Sequence, residues 1–245
     1  MPIAVWIVPI VFIASLIRST FGFGEALVAV PLLALVIPID VAAPLAVLLS
    51  IVIAAIIVAQ DWRHIHLRSS LWLLLPTFAG IPLGVLLLGS AHPFAVKGVL
   101  AVIILLFSAY SLFGTALPEL KSDSHAALLL CGFLAGIMGG AYGMNGPPLV
   151  IYGAMRRWSP QRFRATLQGY FLPASIAAAV GFHFAGLWTT TITHLFLISL
   201  PAAVVATFLG RFINLKLRGE LFLKTVHICL LIVGVVLLAQ AIHRT

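Results

Sequence analysis

Apolar residues fill this chain in long unbroken blocks, without the alternation of a half-buried strand or the polar stripe of a surface helix. A bilayer is crossed by roughly 20 apolar residues in a helix. Charge-free stretches of that order occupy Val41 to Gln60, Ser69 to Val96, Gly98 to Pro118 and Thr225 to His243. From Ala165 to Gly210 no Asp, Glu, Lys or Arg occurs, which predicts two further spans with a turn near Gly186-Leu187-Trp188. Two shorter pairs complete the pattern: Ile3 to Ile17 with Ala26 to Ile39, and Ala126 to Ala141 with Pro147 to Met155. Their length and their glycine interruptions predict broken or partial helices. The expected fold class is an all-α integral membrane protein of about ten segments.

The order of these segments repeats. Each half reads as a short segment, a glycine elbow, a second short segment and three longer ones. The first elbow is Phe21-Gly22-Phe23-Gly24-Glu25, and the second is Tyr142-Gly143-Met144-Asn145-Gly146-Pro147-Pro148. Phe21-Gly22 overlies Tyr142-Gly143, Pro38 overlies Ser159, Pro76 overlies Pro201 and Lys97 overlies Lys224, with an offset that grows by a few residues. Small loop differences produce such drift. The expected organisation is a first membrane repeat over residues 1–118, a polar linker over 119–124 and a second repeat over 125–245. A backbone break duplicated at matching places in two halves is the best sequence pointer to a transporter's binding site.

Composition and charge sharpen this picture. The chain is 62% hydrophobic and 8% charged, with a mean hydropathy of +1.20. A soluble domain carries about a quarter charged residues, so a water-soluble fold is excluded. The formal charge of +8 would suggest nucleic acid in a soluble protein. In a membrane protein it records cytoplasmic loops, and no nucleic-acid partner is expected. With five segments per half, the loops on one side carry Arg18, Arg63, Arg68, Lys121, Arg156, Arg157, Arg162, Arg164, Arg211, Lys216, Arg218 and Lys224. The other side keeps Lys97 and Arg244. This asymmetry predicts two inverted repeats with both termini outside the cytoplasm. Merging each short pair into one crossing puts Arg63 and Arg68 opposite the Arg156 to Arg164 cluster and spoils the asymmetry. A re-entrant reading of the short pairs assigns the same sides, so charge does not separate it from full crossing.

Cys131 and Cys229 fall inside apolar runs and read as small core residues. His183, His194 and His227 stand alone, and His64 and His66 lie with Asp61 in a charged loop. Neither a metal-ligand spacing nor a catalytic constellation is present, and neither are a phosphate-binding loop or a dinucleotide fingerprint. No enzyme activity, cofactor or metal is therefore expected.

Several of these motifs resemble the TauE/SafE family of sulfite and organosulfonate transporters. The resemblance runs through both halves. It rests on Phe21-Gly22-Phe23-Gly24 with Val30-Pro31-Leu32-Leu33, on Gly139-Gly140-Ala141-Tyr142-Gly143, and on Val41-Ala42-Ala43-Pro44-Leu45 with Arg164-Ala165-Thr166-Leu167 as paired helix starts. The family's second elbow usually carries more glycines than this one, where Met144, Asn145, Pro147 and Pro148 stand. The resemblance implies a secondary transporter of small anions, foremost sulfite or a short-chain organosulfonate such as sulfoacetate. A passive anion channel and a transporter of another small organic anion are the alternatives. Its partners would be the small anion and membrane lipid, with a homodimer left open.

The elbows carry the candidate chemistry. Free N–H groups at the start of a half-helix, together with the aligned peptide dipoles, replace the hydration of an anion. Gly22, Gly24, Gly143 and Gly146 permit the close backbone approach this needs; the alternative is that they only let helices pack tightly. Asn145 adds a side-chain amide, and Phe23 and Met144 complete the elbows. Arg18 can supply a fixed positive charge or snorkel to the surface, and Glu25 can titrate with a coupled proton or merely pair with Arg18. Ser19, Thr20, Tyr142 and Gln168 can orient an oxyanion or bond to a neighbouring carbonyl. Arg164 can guard the cytoplasmic entrance or serve only as a topology determinant.

Overall fold

A computed structural model describes residues 3–61, 67–90, 92–113, 119–120, 124–156 and 160–214, with 231, 235, 238 and 239 beyond them. Among these residues the chain forms nine helices and no strand. They are α1 (Ala4–Phe21), α2 (Glu25–Ala34), α3 (Ile39–Asp61), α4 (Leu67–Ser90), α5 (Pro93–Phe113), α6 (His125–Tyr142), α7 (Gly146–Met155), α8 (Pro160–Phe184) and α9 (Thr190–Asn214). Most of the expected span Thr225 to His243 lies outside the described residues, as do Arg63, His64, His66, Lys121, Arg157, Lys216, Arg218, Lys224, His227, Cys229 and Arg244.

Both glycine elbows interrupt helices where the sequence places them. α1 and α6 have 18 residues each, and α2 and α7 have 10 each. The turn expected near Gly186 is also present, with Gly186 at φ +70° between α8 and α9. One boundary differs. The apolar run from Ser69 to Val96 divides, because α4 ends at Ser90 and α5 begins at Pro93. Proline suits a first helical position, where its missing N–H leaves no bond unmade.

Among the described residues five helices are long and apolar enough to cross a bilayer: α1, α3, α4, α6 and α9. The outer faces of α4, α6 and α9 present Leu75, Leu86, Leu130 and Phe212, and those of α5 and α8 present Leu106 and Phe184, each more than half exposed. Apolar surface on that scale would drive aggregation in water, and it suits a lipid solvent. α3 is central, with 67% of its apolar stretch buried against 33–44% in the other four spans. It packs on α8, while α1 packs along α9 and α6 along α4. α4 also touches α8, as α9 touches α3.

The α4–α6 contact is a backbone-to-backbone approach. On α4, Gly80 and Gly84 face Phe133, Gly136, Ile137 and Gly140 of α6. In return, Gly132, Gly136 and Gly140 face the Leu73, Thr77 and Ile81 carbonyls. Glycines one turn apart remove the side chains that would hold two helices apart in lipid. The proximity lets Thr77 Oγ1 reach the Gly132 carbonyl at 2.8 Å, and it also lies 2.7 Å from the Tyr170 hydroxyl of α8. In the α1–α9 contact, Ser19 Oγ donates to the Thr207 carbonyl and Gly210 lies against Leu16 and Ser19.

A Cβ at Gly136 would sit 2.9 Å from the Thr77 Cα and 3.0 Å from the Gly80 Cα. Gly136→Val is expected to destabilise the fold by about 1–3 kcal/mol through overpacking. Gly89→Ala, whose new methyl would meet Leu187 Cδ1 at 4.0 Å, is expected to stay within about 0.5 kcal/mol of the parent. Thermal unfolding of both variants in detergent measures the difference.

Candidate functional site

The two elbows are built from left-handed glycines. α1 stops at Gly22, at φ +84°, whose N–H donates to the Arg18 carbonyl. Gly24, at φ +98°, then caps the start of α2. α6 stops at Gly143, at φ +67°, whose N–H donates to the Gly139 carbonyl at 2.9 Å. Any side chain is strained at such angles. At Gly143 a Cβ would in addition meet Val47 Cγ2 at 2.9 Å.

Between the elbows lies a cavity of about 30 Å³. The first elbow and the opening turn of α2 contribute Arg18, Phe23, Gly24, Glu25, Ala26 and Leu27. The second elbow and the opening turn of α7 contribute Gly143, Met144, Asn145, Gly146 and Pro147. Ser50 of α3, Phe107 of α5 and Phe171 of α8 close it. Two half-helices thus turn their amino ends toward one small chamber, which gives it positive potential from both sides. A water needs about 10–15 Å³ measured this way, so the chamber, at about 30 Å³, has room for about two or three waters before any rearrangement.

Arg18 is the centre of its polar side. It lies on the last turn of α1 with 3% of its surface exposed. It neither snorkels to the surface nor sits in a loop, so it leaves the tally of loop charges. Its Nη1 donates to Glu25 Oε2 and to Ser50 Oγ, both at 2.5 Å, and its Nη2 reaches Gln168 Oε1 at 3.4 Å. The guanidinium stacks 4.9 Å from the centre of the Phe171 ring. Ser50 Oγ is in turn 3.1 Å from Ser175 Oγ. Gln168 Nε2 donates to the Gly22 carbonyl at 2.7 Å, so this amide holds both the guanidinium and the end of α1. Two buried atoms of the pair, Arg18 Nε and Glu25 Oε1, have no hydrogen-bond partner among the described residues.

The remaining candidates divide. Phe23, Gly24, Met144, Asn145, Gly143 and Gly146 line the chamber with Arg18 and Glu25. The Asn145 amide folds back into the space left by the missing Cβ of Gly139, and its Nδ2 donates to the Ala135 carbonyl at 3.2 Å. Ser19 and Thr20 turn toward α9, where their hydroxyls reach the Thr207 and Gly210 carbonyls. Tyr142 donates to the Val96 carbonyl of α5 at 3.1 Å. Arg164 belongs to α8, and its side chain lies outside the described residues. Ser50, Ser175, Phe107 and Phe171 were not singled out from the sequence. Ser50 carried a signal as an isolated hydroxyl in the run Val47-Leu48-Leu49-Ser50-Ile51-Val52-Ile53, whereas nothing distinguished Phe171 among 16 phenylalanines.

Apolar spanning helices and paired helix breaks around a buried charge define a multi-pass membrane protein with a polar chamber among its helices. The family model described as sulfite exporter TauE/SafE matches residues 7–237. The chain belongs to that family, which is one of transporters and not of enzymes. No curated protein and no solved structure matches the chain.

Gln168→Leu removes the donor to the Gly22 carbonyl and the acceptor for Arg18 Nη2 while keeping the side chain's bulk. Leaving these buried groups unpaired is expected to cost about 1–3 kcal/mol. Gln168→Glu, which still accepts from Arg18 but loses the amide donor, is expected to fall between the two. Chemical or thermal unfolding of the three proteins orders them.

Proposed function

We propose that this chain is a secondary transporter of small anions, with sulfite or a short-chain organosulfonate such as sulfoacetate as its substrate. The observation that carries this reading is the convergence of two half-helix amino ends on one chamber that also holds the buried Arg18 guanidinium. Peptide dipoles and a fixed cation replace an oxyanion's hydration without any mobile counter-ion. The substrate class comes from the family.

The mechanism is alternating access. Its moving parts are two inverted repeats of five segments, residues 1–118 and 125–245, joined by the linker at 119–124, in a bacterial inner membrane with both termini outside the cytoplasm. Several observations support this reading. The short helices match in length, α1 with α6 and α2 with α7. The contacts match when the halves are exchanged: α1 on α9 corresponds to α6 on α4, and α3 on α9 to α8 on α4. Rocking of one repeat against the other about the elbows would open the chamber to each side in turn. A chamber of about 30 Å³ supports a carrier that occludes its substrate over a permanently open anion channel.

In proteoliposomes preloaded with unlabelled sulfite, labelled sulfite is expected to accumulate transiently by counterflow. A channel gives equilibration without accumulation. Gly143→Leu is expected to abolish counterflow, because its backbone angle and Val47 both exclude the side chain. Arg18→Gln is expected to weaken substrate binding by roughly tenfold to a hundredfold, the range for a lost hydrogen bond to a charged group. Full counterflow in both variants, if they fold, refutes the elbow chamber as the substrate site.

A further inference from the structure

Among the described residues the chamber's one fixed cation, Arg18, already has a carboxylate on it. Arg18 and Glu25 are ion-paired with side chains 4% and 3% exposed, and together they are electrically neutral. An anion arriving at Arg18 with that pair intact would set two negative groups around one guanidinium in a dry site, which disfavours ionisation of both. The surroundings offer no other compensation. Among the described residues, the elements around Glu25 present Ser50 from α3, Phe107 from α5, Gln168 and Phe171 from α8, and Met144 and Asn145 from the second elbow, none of them charged or titratable in the relevant range. The nearest further cation on a helix packed against α2 is Lys97 of α5. It is engaged at the opposite end of α2, where its Nζ donates to the Ala34 carbonyl at 2.8 Å.

From this geometry, and resting on the reading of the chamber as an anion site, we infer that the substrate displaces Glu25 from Arg18 only when Glu25 takes up a proton, so that the site carries one singly charged anion together with one proton. The proton comes from the aqueous side that is open, binds the carboxylate, and leaves with the anion on the other side. Glu25 Oε1, buried and without a partner among the described residues, is the vacant oxygen for it, and Arg18 Nε, likewise without one, is the donor left for the anion. The charge balance selects the substrate. Arg18 with a monoanion and neutral Glu25 sums to zero, as the resting pair does, whereas a dianion leaves one uncompensated negative charge in a dry site. Phe23, Leu27, Phe107, Met144 and Phe171 form the apolar part of the lining and suit a short alkyl tail behind the anionic head. The substrate class is therefore a singly charged short-chain sulfonate in preference to a doubly charged oxyanion.

Methanesulfonate, a monoanion across the accessible pH range, is the probe. The test is calorimetric titration of the full chain in lipid nanodiscs from about pH 5 to about pH 8, with sulfate as the dianion. Proton uptake is read from the dependence of the heat on buffer ionisation. The expected result is one proton taken up per methanesulfonate bound, with affinity falling about tenfold per pH unit once Glu25 is ionised in the free protein, since only the protonated form binds. Sulfate is expected to bind at least about tenfold more weakly, the factor set by 1.4 kcal/mol. Glu25→Gln keeps the shape of a neutral Glu25, and is expected to bind methanesulfonate with neither proton uptake nor pH dependence. If that variant does not fold, proton uptake by the parent protein still decides. Methanesulfonate binding without proton uptake, or sulfate binding as tight as methanesulfonate, overturns this inference and leaves the anion site standing. Binding of neither anion at any pH overturns both.

Discussion

Inside a bilayer no water is available to complete the hydrogen bonds of an interrupted helix, so every break in the backbone must be satisfied by protein or lie against a polar cavity. This chain breaks twice, at Gly22 to Gly24 and at Gly143 to Asn145, and much of its packing serves those two places. The Gly22 N–H closes onto the Arg18 carbonyl, and the Gly22 carbonyl takes a hydrogen bond from Gln168, which lies 146 residues away in sequence. At the second break the Gly143 and Met144 N–H groups return to the carbonyls of Gly139 and Met138. The opening turns of α2 and α7 remain, and they face the chamber. The breaks therefore define where a polar ligand can be received.

The same logic explains the company Arg18 keeps. A buried guanidinium requires charge compensation and hydrogen bonds, and the structure supplies Glu25, Ser50, Gln168 and the face of Phe171 from three other helices. The network joins α1, α2, α3 and α8. Removing any member leaves a polar group exposed to hydrocarbon-like surroundings, so the site and the fold share their interactions. On the other side, the glycine contact between α4 and α6 seats α6 closely, and Gly140, two residues before Tyr142, lies against the Ile81 carbonyl. Close helix packing thus fixes where the second elbow emerges. A chamber held this tightly from both halves fits the transport role of the TauE/SafE family, since a small substrate must be gripped and then released by movement of whole elements.

Much of this was readable along the chain. Long charge-free runs identified helices in lipid, because hydrocarbon leaves the backbone few other choices, and the glycine pairs marked both breaks, because a left-handed residue is a local requirement that needs no partner. The division of the run after Ser69 into α4 and α5 was less legible: apolarity is continuous there, and only Pro93 signals the new start. Which way each polar side chain turns was a different matter. Ser19 and Thr20 sit beside the elbow in sequence yet bond to α9, while Ser50, 32 residues from Arg18, and Gln168, 150 residues from it, complete its coordination. Composition and spacing thus determined that the chain lives in a membrane, breaks its helices twice and carries an ionisable pair beside the first break, whereas the burial of that pair was settled by the fold. The tertiary structure alone decided that both breaks open on one chamber and which side chains line it, because the facing surfaces of helices are chosen by their neighbours in space and leave no mark on local sequence.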